Sequence, residues 1–225
     1  MSKHLQRDME RLKKELLTMG SMVEETINKA IISLTDRRPG LAREVIDGDD
    51  FIDNKENEIE EECLKVLALH QPVAADLRFI VVVLRVNKDL ERMCDLSVNI
   101  AERAIFLSAN PQLNVSLDFP RMVEGVRKMV RESLNALIKR DTAIARNVLV
   151  MDDEIDDINR GMFVTLQNLM RENPDSIERA VHMLSASRHL ERIADLSSNI
   201  AEEVVFMVDG ERIRHNVEDY LKKNT

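Results

Sequence analysis

Four short acidic patterns are the parts of this chain best equipped for chemistry. Glu91 and Asp95 stand four residues apart, Glu191 and Asp195 repeat them 100 positions later, and Asp49/Asp53 and Asp152/Asp156 keep the same spacing. Residues at i and i+4 share a helix face, so each pattern sets two carboxylates side by side. Asn99 and Asn199 extend the row by one turn. Carboxylates with an amide are hard oxygen donors, suited to Mg, Mn, Ca or ferric iron, with Zn compatible. Two carboxylates about 5 Å apart repel by about 3 kcal/mol at an effective dielectric of about 20. Four on one surface call for protonation, hydration or a polyvalent cation. Lys88, three before Glu91, and Arg92, three before Asp95, are basic neighbours on the flank of the stripe. Any single pair also suits an ordinary solvated helix face, and the whole row suits an acidic surface that docks a basic partner.

The elements that must hold these residues come in duplicate. Leu90–Glu102 returns as Leu190–Glu202 with the shared pattern Leu-Glu-Arg-x-x-Asp-Leu-Ser-x-Asn-Ile-Ala-Glu. Met22-Val23-Glu24 matches Met122-Val123-Glu124 at the same offset, whereas Asp49–Asp53 matches Asp152–Asp156 at an offset of 103. Insertions belong in loops, so three residues enter at the first turn of the second copy and leave before Glu191. Breakers agree: Pro39-Gly40 ends a first helix, and Gln71-Pro72 and Asn173-Pro174 separate a second helix from a third. The spacing predicts helices over roughly 3–36, 41–70, 73–108, 119–139, 142–172 and 175–208.

The expected fold is all-α, as two tandem, pseudo-symmetric three-helix bundles with antiparallel neighbours. The expected units are 1–109, 119–209 and a charged tail over 210–225. The first helix is longer than its counterpart, and its extension is expected to reach another partner or protomer.

Folding the hairpin at Pro72 brings Asp53 and Glu91, each 19 residues away, to one height, and Asp49 and Asp95, each 23 away, to another. In the second copy Asp156 and Glu191 lie 18 and 17 residues from Pro174, and Asp152 and Asp195 lie 22 and 21 away. Each bundle can therefore set two acidic pairs face to face, if the stripes are rotated toward each other.

Composition bounds the function. The 225 residues are 44% hydrophobic and 32% charged, with six Gly, five Pro and 12 Met, which favours helices over sheets. A net charge of -9, one Tyr and no Trp argue against nucleic-acid binding. No stretch is long and apolar enough to insert directly into a membrane. With no leader pattern at the N-terminus, a soluble cytoplasmic protein is expected. Cys63 and Cys94 follow no metal-ligand spacing, and a small core residue is the reading of Cys94. The five histidines lack ligand spacing and read as surface residues. No nucleophile–base set or phosphate loop is present, so no enzyme activity is expected.

Gln71-Pro72-Val73-Ala74-Ala75-Asp76-Leu77-Arg78, followed by the two Leu-Glu-Arg blocks, resembles the PhoU family of phosphate-transport regulators over nearly the whole chain. Cys94 and Ala194 depart from the Gly often found before the last Asp of the family motif. The resemblance implies a cytoplasmic, usually homodimeric, non-enzymatic regulator. It would restrain the phosphate-starvation response by contacts with the ATPase subunit of the phosphate ABC transporter and with a sensor histidine kinase. It also implies multinuclear iron or zinc on Asp49, Asp53, Glu91, Asp95, Asp152, Asp156, Glu191 and Asp195, with Asn99 and Asn199 adjacent. The alternative is a helical-bundle metal store or metalloenzyme using the same carboxylates.

Overall fold

The computed structural model describes residues 3–211. Most of the charged tail expected over 210–225 lies outside them. The first bundle contains α1 (Lys3–Thr35), α2 (Pro39–Asp47), α3 (Asp49–His70) and α4 (Ala74–Ala109). The second contains α5 (Phe119–Lys139), α6 (Thr142–Glu172) and α7 (Ile177–Asp209), the last preceded by a 3-10 turn at Pro174–Ser176. Two three-helix bundles in tandem are the observed architecture, with no strand among the described residues.

One predicted helix is divided. The segment expected as 41–70 breaks at Gly48, whose ψ of -6° leaves the helical ladder. A Cβ there would sit 3.1 Å from the Glu44 carbonyl oxygen, so only glycine fits without a shift. Asp49 and Asp50 then open α3, where their charges complement the helix dipole. The second copy has Met151 at the equivalent position and α6 runs unbroken. A lone glycine in a periodic pattern costs only about 1 kcal/mol, which is why the pattern reads straight across it. Asp141 caps α6 as its position suggests: Oδ1 accepts from Ala143 N at 2.9 Å and Ile144 N at 3.1 Å.

The long N-terminus of α1 has a seat within the chain. It lies along α3 of its own bundle. Glu15 pairs with Lys55 at 2.5 Å, Arg11 with Glu62 at 3.5 Å, and Asp8 Oδ2 with His70 Nε2 at 2.9 Å. Leu5, Leu12 and Leu16 are buried at helical spacing beneath those pairs.

The two bundles share one apolar core. α4 and α7 run antiparallel along each other: Arg85 Nη1 meets Glu203 Oε1 at 2.7 Å, and at the other end Phe106 stacks on His182 at 3.7 Å. α1 approaches α5 more narrowly, where Gly20 faces Leu134.

Gly161 interrupts the middle of α6 with nothing within 4 Å of where its Cβ would be. Gly161→Ala is expected to stabilise the protein by about 1 kcal/mol through lost unfolded-state freedom, a gain readable in thermal melting.

Candidate metal centre

The hairpins α3–α4 and α6–α7 bring the acidic stripes together as the matched distances from their prolines suggest. The second bundle closes tighter. Asp156 on α6 and Glu191 and Asp195 on α7 each offer an oxygen within 4.8 Å of the other two, the only such acidic or ligating group among the described residues. Asp152 belongs to the same patch. Burial, then the charges of Asp195 and Asp156, push its carboxyl up to about 6. Ser198 Oγ softens that shift without reaching hydrogen-bond geometry. Burial and the same two aspartates also raise Glu191. Arg160, 3.9 Å from Asp156, is a peripheral cation.

The first bundle is looser. Burial raises Asp49, the neighbouring Cys94 thiol lowers it, and the charges of Asp53 and Asp95 raise it again.

 The thiol is itself buried and raised, first by burial and then by Asp49. Glu91 stands with Glu56: Lys88 Nζ lies 3.0 Å from Glu91 Oε2, off the hydrogen-bonding direction, and 3.9 Å from Glu56. Burial is the main cause that raises Glu56. Arg92 holds Asp95 at 2.7 Å. The two flanking bases named from sequence thus sit on the acids they precede by three residues.

The amides contribute less than their place in the row suggests. Asn99 Nδ2 donates to the Asp95 carbonyl at 2.7 Å, turning the group back onto its own helix. Asn199 is exposed on α7. Two residues outside the expected set matter instead. Cys94 lies against Asp49, and Ser198 against Asp152. Sequence offers no signal for either, because the positions are not shared between the copies: Ala194 answers Cys94 and Val98 answers Ser198.

The residues fit a hard cation. Asp49 Oδ1, Asp53 Oδ1 and Asp152 Oδ1 are buried oxygens that accept no hydrogen bond. Leaving such acceptors dry is costly unless they are protonated or coordinated.

Three of the five histidines depart from their reading as surface residues. His70 bonds Asp8, and His182 stacks on Phe106. His189 is half-buried beside Ser185 Oγ at 3.2 Å, and burial, with Arg103 opposite, pulls it down to about 4. His4 is exposed, and His215 lies outside the described residues.

Comparison with known proteins agrees with this architecture. The PhoU domain family model matches residues 16–104 and again 119–204, one match per bundle. The chain is 39% identical over 209 residues to a phosphate-specific transport system accessory protein PhoU homolog of Aquifex aeolicus, covering 93% of this chain and 95% of that one. A homolog of the same name from Pseudomonas aeruginosa is 36% identical over 215 residues, covering 95% and 89%. The crystal structure of PhoU from Pseudomonas aeruginosa superposes with a TM-score of 0.89 at 36% identity, over 92% of this chain and 99% of that one. The phosphate transport system regulatory protein PhoU from Streptococcus pneumoniae gives 0.85 at 27% identity, over 93% and 99%. With both bundles matched and these relatives aligned nearly end to end, the chain belongs to the PhoU family of phosphate-transport accessory proteins.

Proposed function

We propose that this protein is a cytoplasmic, non-enzymatic adaptor that regulates phosphate uptake. It would act through contacts with the ATPase subunit of the phosphate ABC transporter and with a sensor histidine kinase, restraining the phosphate-starvation response, and would work as a homodimer. Among the described residues no helix is long and apolar enough to cross a membrane, in keeping with a role alongside a transporter rather than within the bilayer.

The observation that carries the metal part of the reading is the set of buried, unbonded carboxylate oxygens of Asp49, Asp53 and Glu91 in the first bundle and Asp152 in the second, each set beside further acids of its hairpin. Asp156, Glu191 and Asp195, with Asp152, would hold a cation in the second bundle. Asp49, Asp53, Glu91 and Asp95 would do so in the first. Iron or zinc is the family's expectation, and the donors suit Mg, Mn or Ca as well. A bound cation would supply positive charge that lets the acidic faces of two helices stay ionised at close range. The protein's own residues orient those oxygens, and Lys88, Arg92 and Arg160 balance the rim.

Elemental analysis of the purified protein, run beside co-purification of the ATPase subunit and the kinase, tests the reading. Glu91→Ala combined with Asp95→Ala is expected to reduce bound metal or partner retention while helicity by circular dichroism stays nearly unchanged. A large loss of helical signal would make these residues structural. Bound metal with measurable turnover and no retained partner would favour a metal store or enzyme instead.

A further inference from the structure

We propose that the groove between the start of α5 and the outer face of α6 docks a cationic amphipathic helix of a partner protein. The inference starts from a mismatch between the two bundles. α1 begins at Lys3, but α5 begins at Phe119, the counterpart of Met19. The four turns from Lys3 to Thr18 therefore have no equivalent in the second bundle. In the first bundle this stretch is seated on α3, where Glu15 reaches Lys55 and Arg11 reaches Glu62. The equivalents of Lys55 and Glu62, at the offset of 103, are Ile158 and Thr165. Both line an open groove of about 830 Å³. One bundle fills this position with its own helix, and the other leaves it open.

The groove's surface specifies the chemistry of an occupant. Asp118, Asp153, Glu154 and Asp157 line it, against one lining base, Arg121, which is held by Glu154 at 2.6 Å. Its apolar component includes Val150, 52% exposed, with Ile158 and Met162 beneath. Val164, two turns beyond Asp157, is 54% exposed beside it. Gly161 lies in the lining with open space over its Cα, where the first bundle carries Glu58. A bare glycine in mid-helix permits close approach of another backbone. Acidic walls, apolar anchors and a backbone notch along α6 match a helix-in-groove mode of recognition. Val150 to Thr165 spans about 22 Å, room for a helix of about 15 residues. Net negative charge at the walls selects basic residues on its flanks.

The inference rests on the adaptor reading only for the existence of a partner. Its test uses the full chain and two synthetic peptides followed by fluorescence anisotropy. One has the sequence of Lys3–Thr18, and the other replaces its Asp8, Glu10 and Glu15 by Lys. Saturable binding of one peptide per chain is expected, tighter for the more cationic peptide and weakened at high salt. Asp153→Lys with Asp157→Lys is expected to weaken it by about tenfold or more. Gly161→Leu should also block binding, with the melting temperature showing that the fold is kept. The proposal is overturned if neither peptide binds, or if the groove variants bind as wild type does. Binding that appears only after removal of residues 212–225 would make the chain's own tail the occupant. A change of oligomeric state in the groove variants, read by light scattering, would make it a second copy. Either result also overturns the proposal. A variant that loses the peptide yet retains the ATPase and the kinase would overturn it while the adaptor reading stands. Wild-type protein that binds the peptide but retains neither would do the reverse.

Discussion

Adding Zn²⁺, Mn²⁺ or Fe³⁺ to chelator-stripped protein at pH 7 is expected to raise its melting temperature by about 5–10 °C, and the gain should fade as the pH approaches 5. A ligand at about 100 times its Kd stabilises the folded state by about 2.7 kcal/mol, and each kcal/mol moves the midpoint of a chain this size by about 2–4 °C. The pH trend follows from Asp152, raised from 3.8 to about 6 mainly by burial. A carboxyl whose folded pKa is raised destabilises the fold when ionised. That cost is fully present above about pH 6 and is relieved as the pH falls toward 4. Asp152 is only half-buried and partly screened by solvent, so stripped protein should gain about 1–2 kcal/mol from this group on acidification through that window. Loaded protein should move the other way, because protonated carboxylates release their cation. Glu191→Ala with Asp195→Ala should remove most of the metal-dependent gain, since both belong to the triad whose oxygens converge. If none of the ions shifts the midpoint, and stripped protein only weakens between pH 6 and 4, the acidic faces are solvated surface.

The second large effect is expected at Asp89, between the bundles. Burial and then the charge of Glu203 push its carboxyl up to about 7, while Arg85 is engaged with Glu203 at 2.7 Å. Above pH 7 the ionised form carries its full cost. Below it the folded state takes up a proton, and the cost declines toward the unfolded pKa near 4. Asp89→Asn should accordingly stabilise the protein by about 3 kcal/mol at pH 8 and by little near pH 4, as read from urea unfolding at the two pH values. An equal effect at both would show that the carboxyl is not held protonated. The equivalent position on α7 is His189, which burial and Arg103 keep neutral from the opposite direction. The α4–α7 seam thus favours the uncharged form of an acid at one end and of a base at the other.

Much of this design is local and therefore visible in the chain. The repeated Leu-Glu-Arg block, the i, i+4 acids and the prolines at 72 and 174 are one-dimensional features, and helical geometry turns them into faces and heights. That reasoning brings Asp156 to Glu191 and Asp152 to Asp195, as the structure has them. It fails where competing energies are small or distant. A single glycine is cheap in a helix, so the break at Gly48 is invisible until backbone geometry resolves it. Half-burial of His189 depends on α4 lying against α7, which no repeat in either helix announces.

By itself the sequence determined the helices, their pairing into two hairpin-built bundles and the rows of oxygen donors, because periodicity and breakers act within a few residues. Only the tertiary structure decided which carboxylates converge, that Lys3–Thr18 lies on α3, and that the matching place on α6 stands open. Those outcomes depend on helix rotation and on long-range packing. Such choices are settled by the sum of many weak contacts rather than by any residue's own preference.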